Sequence, residues 1–147
     1  MNSWDTSARS VDSWLERVGS KVSVKALLRL FDQAMDALWK RANPVLGEVT
    51  IAAIVDRVLW NSAEHYAFLS PLKLGSAGIS SAGLKERAST LDVPHLKEGL
   101  RFTLVEFLTV IGALTGDILT PPLQEELLKL PKPGRESAPP GKDSRQP

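Results

Sequence analysis

Glu106 and His65 are the side chains of this 147-residue sequence whose setting could support chemistry. Glu106 falls inside the most apolar run, Phe102 to Leu114, and its neighbours three and four positions away (Phe102, Thr103, Thr109, Val110) include no cation. A carboxylate so placed meets a partner on another helix, with Arg57 and Arg29 as candidates, or has its pKa raised by desolvation, or lies partly exposed on a narrow polar strip with Thr103 and Arg101. Histidine titrates near neutral pH, so His65, between Glu64 and Tyr66, is a candidate switch or phosphoacceptor. His95 stands in a first helical turn and reads as surface. A hydrolase or small-molecule site would have to combine Glu106 with His65 or Tyr66 in one pocket.

Composition removes most other chemistry. The chain has no cysteine, which excludes disulfides, thiolate nucleophiles and cysteine-held zinc or iron–sulfur centres. Two histidines do not make a metal site by themselves, and no metal or other cofactor is expected. Walker, Rossmann, nucleophile-elbow, His-Glu-x-x-His and EF-hand patterns are absent; Gly75-Ser76-Ala77-Gly78 lacks the lysine and hydroxyl of a phosphate loop. The net charge is +1 with 43% apolar residues, the balance of an ordinary globular domain. Arg17, Lys21, Lys25 and Arg29 recur every fourth residue, but Gly19, Ser20 and Ser23 interrupt them and Asp12, Glu16, Asp32 and Asp36 flank them. That is a solvated face without interleaved aromatics, so nucleic acid is not an expected partner.

The elements that must position these residues are helical. Ser10 caps a short first segment with Val11, Trp14, Leu15 and Val18 on one face. A second helix runs from the cap Ser23 through Leu27, Leu28, Phe31, Met35 and Leu38 to about Asn43-Pro44, since a residue before proline avoids the α region. The third spans about Val49 to Leu69, with Ile51, Ile54, Val55, Val58, Leu59, Tyr66 and Leu69 on one side. A glycine-rich connector, a loop or a short strand, covers Ser70 to Ser81, after which Ser80 or Ser81 caps a short helix with Leu84, Ala88 and Leu91. Asp92-Val93-Pro94 opens a long helix reaching about Leu119. Along it Leu100, Leu104, Phe107, Ile111, Leu114 and Ile118 step by 4, 3, 4, 3 and 4, an a/d seam, while Phe102, Val105, Leu108 and Leu119 mark a second apolar face. Such a helix belongs at the centre of a bundle or in a dimer seam. Pro121-Pro122 ends it, and Leu123 to Leu130 gives a further amphipathic turn or two.

The segment Leu72-Lys73-Leu74-Gly75-Ser76-Ala77-Gly78-Ile79, with Leu84 and Ala88 to Leu91, resembles about 20 residues that follow the phosphorylated histidine of histidine phosphotransfer domains. Those domains are four-helix bundles that relay phosphate between signalling proteins. The sequence departs from them where the chemistry sits: Ser70 stands at the histidine position, Pro71 follows it, and Leu74 is an extra residue before Gly75.

Met1 to Ser10 is polar and lacks the basic start and apolar run of a signal peptide, and the 13-residue run Phe102 to Leu114 is short of the ~20 apolar residues of a membrane span. A cytoplasmic location is the default. Residues 131–147 hold five prolines, two glycines and one alanine, and carry a net +2 from Lys132, Arg135, Lys142 and Arg145 against Glu136 and Asp143. A disordered tail is expected there.

The fold expected is all-α, a bundle of four to five helices over residues 21–130, preceded by an amphipathic segment (1–20) and followed by the tail. The function expected is a non-enzymatic interaction module, an adaptor or regulator in cytoplasmic signalling that binds a protein partner or itself, as a homodimer for example. Its apolar contact residues would be Trp14 and Leu15, with Trp4 nearby, together with Leu104, Phe107 and Ile111. A phosphotransfer-like signalling domain and a small-molecule-binding helical domain are the alternatives.

Overall fold

Caps and breakers set most element ends. The computed structural model describes residues 3–19, 21–75 and 78–130, with side chains from residue 7 onward. In chain order these form α1 (Ser3–Val18), α2 (Val24–Leu46), α3 (Glu48–His65), a 3-10 turn (Ala67–Leu69), β1 (Lys73–Gly75), β2 (Gly78–Ser80), α4 (Ala82–Glu86), a second 3-10 turn (Ala88–Thr90), α5 (Val93–Thr115) and α6 (Thr120–Lys129). The Ser23 side chain accepts from the Ala26 N–H at 3.1 Å to cap α2, and Asp92 accepts from the His95 N–H at 3.2 Å to cap α5. Pro94 fits the first turn of α5, where its missing N–H leaves no bond unmade. The all-α bundle is thus the observed architecture.

α5 is its axis, packing against α1, α2, α3 and α6. Its two apolar faces explain the position: Leu96, Leu100, Leu104, Val105, Phe107, Leu108 and Ile111 are all buried. α1 packs against α5 most extensively, and α2 adds Leu27, Leu28, Phe31, Met35 and Leu38, all fully enclosed. Removing each such side chain from water contributes about 1.5–3 kcal/mol. Polar contacts then fix the layers. Arg101 donates from Nε to Asp12 Oδ1 at 2.6 Å and from Nη2 to Oδ2 at 3.3 Å, joining α5 to α1. Buried Ser81 donates to the Asp32 carboxylate at 2.8 Å, and Lys85 Nζ reaches the same carboxylate at 2.9 Å, tying the start of α4 to α2.

Several boundaries differ from the sequence reading. α1 begins at Ser3 rather than beyond Ser10, and through Val11, Trp14 and Val18 it is part of the bundle core, not a separate segment. The Trp4 side chain lies outside the described residues. α2 continues through Pro44 to Leu46, because Pro44 forfeits a single backbone bond near the helix end while Gly47 N–H donates to Asn43 O at 2.8 Å and closes the last turn. α3 stops at His65 and gives way to the 3-10 turn. The glycine-rich connector contains an antiparallel hairpin in which Leu74 pairs with Ile79. α5 ends at Thr115, four residues short of the expected end, with left-handed Gly116 (φ 61°) as its cap, and α6 is a ten-residue helix of its own. The expected tail, 131–147, lies outside the described residues.

Candidate interaction groove

α3 and α5 run side by side and are stitched at one level. Thr103 donates its hydroxyl to the Gly99 carbonyl at 3.0 Å and pairs with Ser62 Oγ at 2.9 Å, with both side chains buried. α3 spends Ile51, Ile54, Val55 and Val58 on the core. Its remaining positions at helical spacing, Val49, Ala53, Arg57 and Trp60, therefore face outward. On α5 the strip beside them holds Glu106, Val110, Ala113 and Leu114. Between the two helices lies an open groove of about 650 Å³. Its apolar end is formed by Val49 and Leu114, which are 86% and 62% exposed, and at the same end of the bundle Ile118 is 75% exposed. Trp60, 64% exposed, stands one turn beyond Arg57 on α3.

The other end is polar. Asn61 donates from Nδ2 to Glu106 Oε2 at 2.8 Å, and Glu106 is half-buried. Arg57 lines the groove from the α3 rim, and among the described residues it takes no ion pair. Glu106 is thus held by a neutral amide of α3, not by the Arg57 or Arg29 guanidinium expected for it. His65 is exposed at the end of α3; its Nδ1 lies 3.0 Å from the Asn61 carbonyl, which accepts, so this nitrogen carries the proton. The imidazole rests on Phe102 with ring centroids 4.5 Å apart, and Tyr66 meets the same phenyl ring at 5.7 Å. Asn61 therefore touches both singled-out residues, the glutamate through its amide and the histidine through its backbone. Among the described residues no group of three or more metal-ligating side chains occurs.

The other residues expected to meet a partner lie elsewhere. Trp14, Leu104, Phe107 and Ile111 are inside the chain's own core, covered by neighbouring helices, so they are not available to a partner of the folded chain. Leu15 is half-buried beside a shallow depression with Asp12 and Lys97. Of the a/d seam only its last members, Leu114 and Ile118, reach solvent. Val49, Trp60 and Asn61 were missed by sequence reasoning, although a signal existed: Val49 and Trp60 fall off the buried stripe of α3. The segment resembling phosphotransfer domains forms the hairpin instead of continuing a helix, and Ser70, at the histidine position, is exposed just after the 3-10 turn. That region does not present a histidine from a helix face. Arg17 leaves the basic stripe altogether. Its Nη1 donates to Leu128 O at 2.7 Å and Leu130 O at 3.2 Å, and Nη2 donates to Leu127 O, capping the end of α6.

No helix among the described residues is long and apolar enough to cross a membrane. No family model, curated protein or solved structure matches this chain.

Proposed function

We propose that the chain is a non-enzymatic protein-interaction module, of adaptor or regulatory type in cytoplasmic signalling, and that it binds through the α3/α5 groove. The observation that supports this reading is a concave strip between α3 and α5 with the large exposed apolar side chains Val49 and Leu114 at one end; Trp60, also exposed, lies on α3 outside the strip, one turn beyond Arg57. Contiguous apolar surface of this kind marks partner sites in soluble chains, and Trp and Arg are the residue types that most often dominate binding energy. A groove between two helices fits an amphipathic helix whose apolar residues recur at i, i+3 or i+4, and i+7. Glu106 and Arg57 act as orienting charges at the polar end and carry no catalytic role in this reading.

The test is selection of displayed helical peptides on the full chain. Selected peptides should bind wild type and lose at least about tenfold in affinity on Leu114→Asp, the cost of setting a charge into an apolar contact. Peptides that bind both forms equally would place the interaction elsewhere and remove the groove from consideration.

A further inference from the structure

We infer that the α3/α5 groove, open to binding as proposed above, also takes a small uncharged amphiphile: a slim apolar body about two helical turns long, ending in a primary carboxamide or a group of the same hydrogen-bonding pattern. A threonine hydroxyl points to this. α5 carries three threonines. Thr103 donates to Gly99 O at 3.0 Å and Thr115 donates to Ile111 O at 2.9 Å, each to the carbonyl four residues back, the usual resting place of a helical threonine hydroxyl. Thr109 lines the groove, and its Oγ1 is enclosed and, among the described residues, has no hydrogen-bond partner. A desolvated hydroxyl left unbonded is costly, and a helical threonine has more than one accessible χ1 setting, so a polar group bound at this wall can be met by it.

The neighbouring groups define what that polar group is. Glu106 stands about 4.5 Å along the helix axis from Thr109. Its Oε2 takes the Asn61 amide at 2.8 Å, and a carboxylate offers about four lone-pair sites, so Glu106 can accept from a further donor. Arg57, on the facing rim, brings only N–H donors. A carboxylate or ammonium ion entering between the rims is attracted by one and repelled by the other, yet gives up its hydration all the same. A carboxamide has no such conflict. Its carbonyl accepts from Arg57, one N–H donates to Glu106 and the other to Thr109 Oγ1, which uses every polar atom of the head group. The rest of the groove suits an apolar body. From Arg57 to Val49 the α3 wall is about 12 Å long, with Ala53 between them, and Ala113 stands on the facing wall before Leu114. The two alanines keep the middle of the groove wide enough for a chain of methylenes. The volume of about 650 Å³ lies within the range of about 300–1,000 Å³ that small-molecule sites occupy.

Octanamide is the probe, titrated into the full chain while backbone amide chemical shifts are followed. The shifts should saturate and concentrate in residues 49–57 and 106–114. Octanoate and octylamine, equal in chain length but charged, should bind wild type at least about tenfold more weakly. Glu106→Gln keeps an acceptor for Asn61 and removes the repulsion felt by a carboxylate, so octanoate should bind this variant at least about tenfold more tightly than it binds wild type; Arg57→Gln should do the same for octylamine. Thr109→Val keeps the shape and should weaken octanamide about fivefold, the net effect of one hydrogen bond, with no loss of thermal stability because the hydroxyl has no partner to lose. Circular dichroism should report the same helix content for all variants. No saturable shifts in those residues, either ion binding wild type as well as the amide does, charge variants that leave the order of ligands unchanged, or a Thr109→Val chain that binds octanamide undiminished each overturns the inference. Selected helical peptides that lose binding on Leu114→Asp while octanamide does not bind leave the interaction reading standing and end this one. Octanamide seated in the groove while peptide binding ignores Leu114→Asp does the reverse.

Discussion

Asp92 illustrates how much a single side chain does here. Its carboxylate accepts from the His95 N–H at 3.2 Å and from His95 Nδ1 at 2.8 Å, and the side-chain bond to His95, followed by the backbone one, lowers its pKa from the ordinary aspartate value. A depressed carboxyl pKa means stability that is present above the unfolded value of about 3.9 and is lost as pH falls through the lower folded value. Asp92→Ala should therefore melt below wild type at pH 7, and the gap should narrow as pH falls below about 4; a gap unchanged down to pH 2 would contradict this origin. A buried counterpart is Thr103. Thr103→Val keeps shape but deprives the Ser62 hydroxyl of its partner, so urea unfolding should show a loss of about 1–2 kcal/mol. Arg101 behaves differently: the bond to Asp12 raises its already high pKa, so it stays charged throughout and contributes no pH dependence of its own in the accessible range.

Between elements the decisive positions are small. Gly47 joins α2 to α3 as a one-residue link with φ 87° and ψ 154°, a region essentially reserved for glycine. It allows α2 to run past Pro44 and still reverse immediately into α3, which fixes where Val49 and the groove begin. Gly47→Ala should cost about 1–3 kcal/mol, read as a lower midpoint in denaturant with unchanged slope. At Gly83 the constraint is contact instead of conformation. A methyl there would stand 2.8 Å from Pro71 Cβ and 3.0 Å from Pro71 O, backbone that has little freedom to yield. Gly83→Ala should displace α4 from the chain before the hairpin and destabilise by about 1–3 kcal/mol. Sequence periodicity located α2, α3 and α5 because each buries a stripe that repeats at 3.6 residues. It misplaced their ends, since the penalty for one proline or the benefit of one left-handed glycine competes with packing that the sequence does not display.

For the whole molecule, core and contact surface should separate cleanly in mutagenesis. Trp14 and Phe107 are enclosed, so Trp14→Ala and Phe107→Ala should each cost about 3–5 kcal/mol in stability. Leu114→Asp and Trp60→Ala, at exposed positions, should leave the thermal midpoint nearly unchanged and alter association alone. Paired thermal melts and peptide-binding measurements on these four variants check the division; a Trp60→Ala chain that melts far below wild type would place that residue in the fold.

The sequence by itself determined the helical class and the central place of α5, and it singled out Glu106 as a carboxylate inside an apolar run. Local spacing suffices for these, because a helix with apolar residues on two faces has to be surrounded and a carboxylate in such a run has to meet something. Only the tertiary structure decided which apolar residues remain outside. Leu104, Phe107 and Ile111 share one seam with Leu114 and Ile118, and nothing in their types tells them apart. What separates them is that the neighbouring helices cover the first three and leave the last two bare, and coverage belongs to the packing of the whole chain.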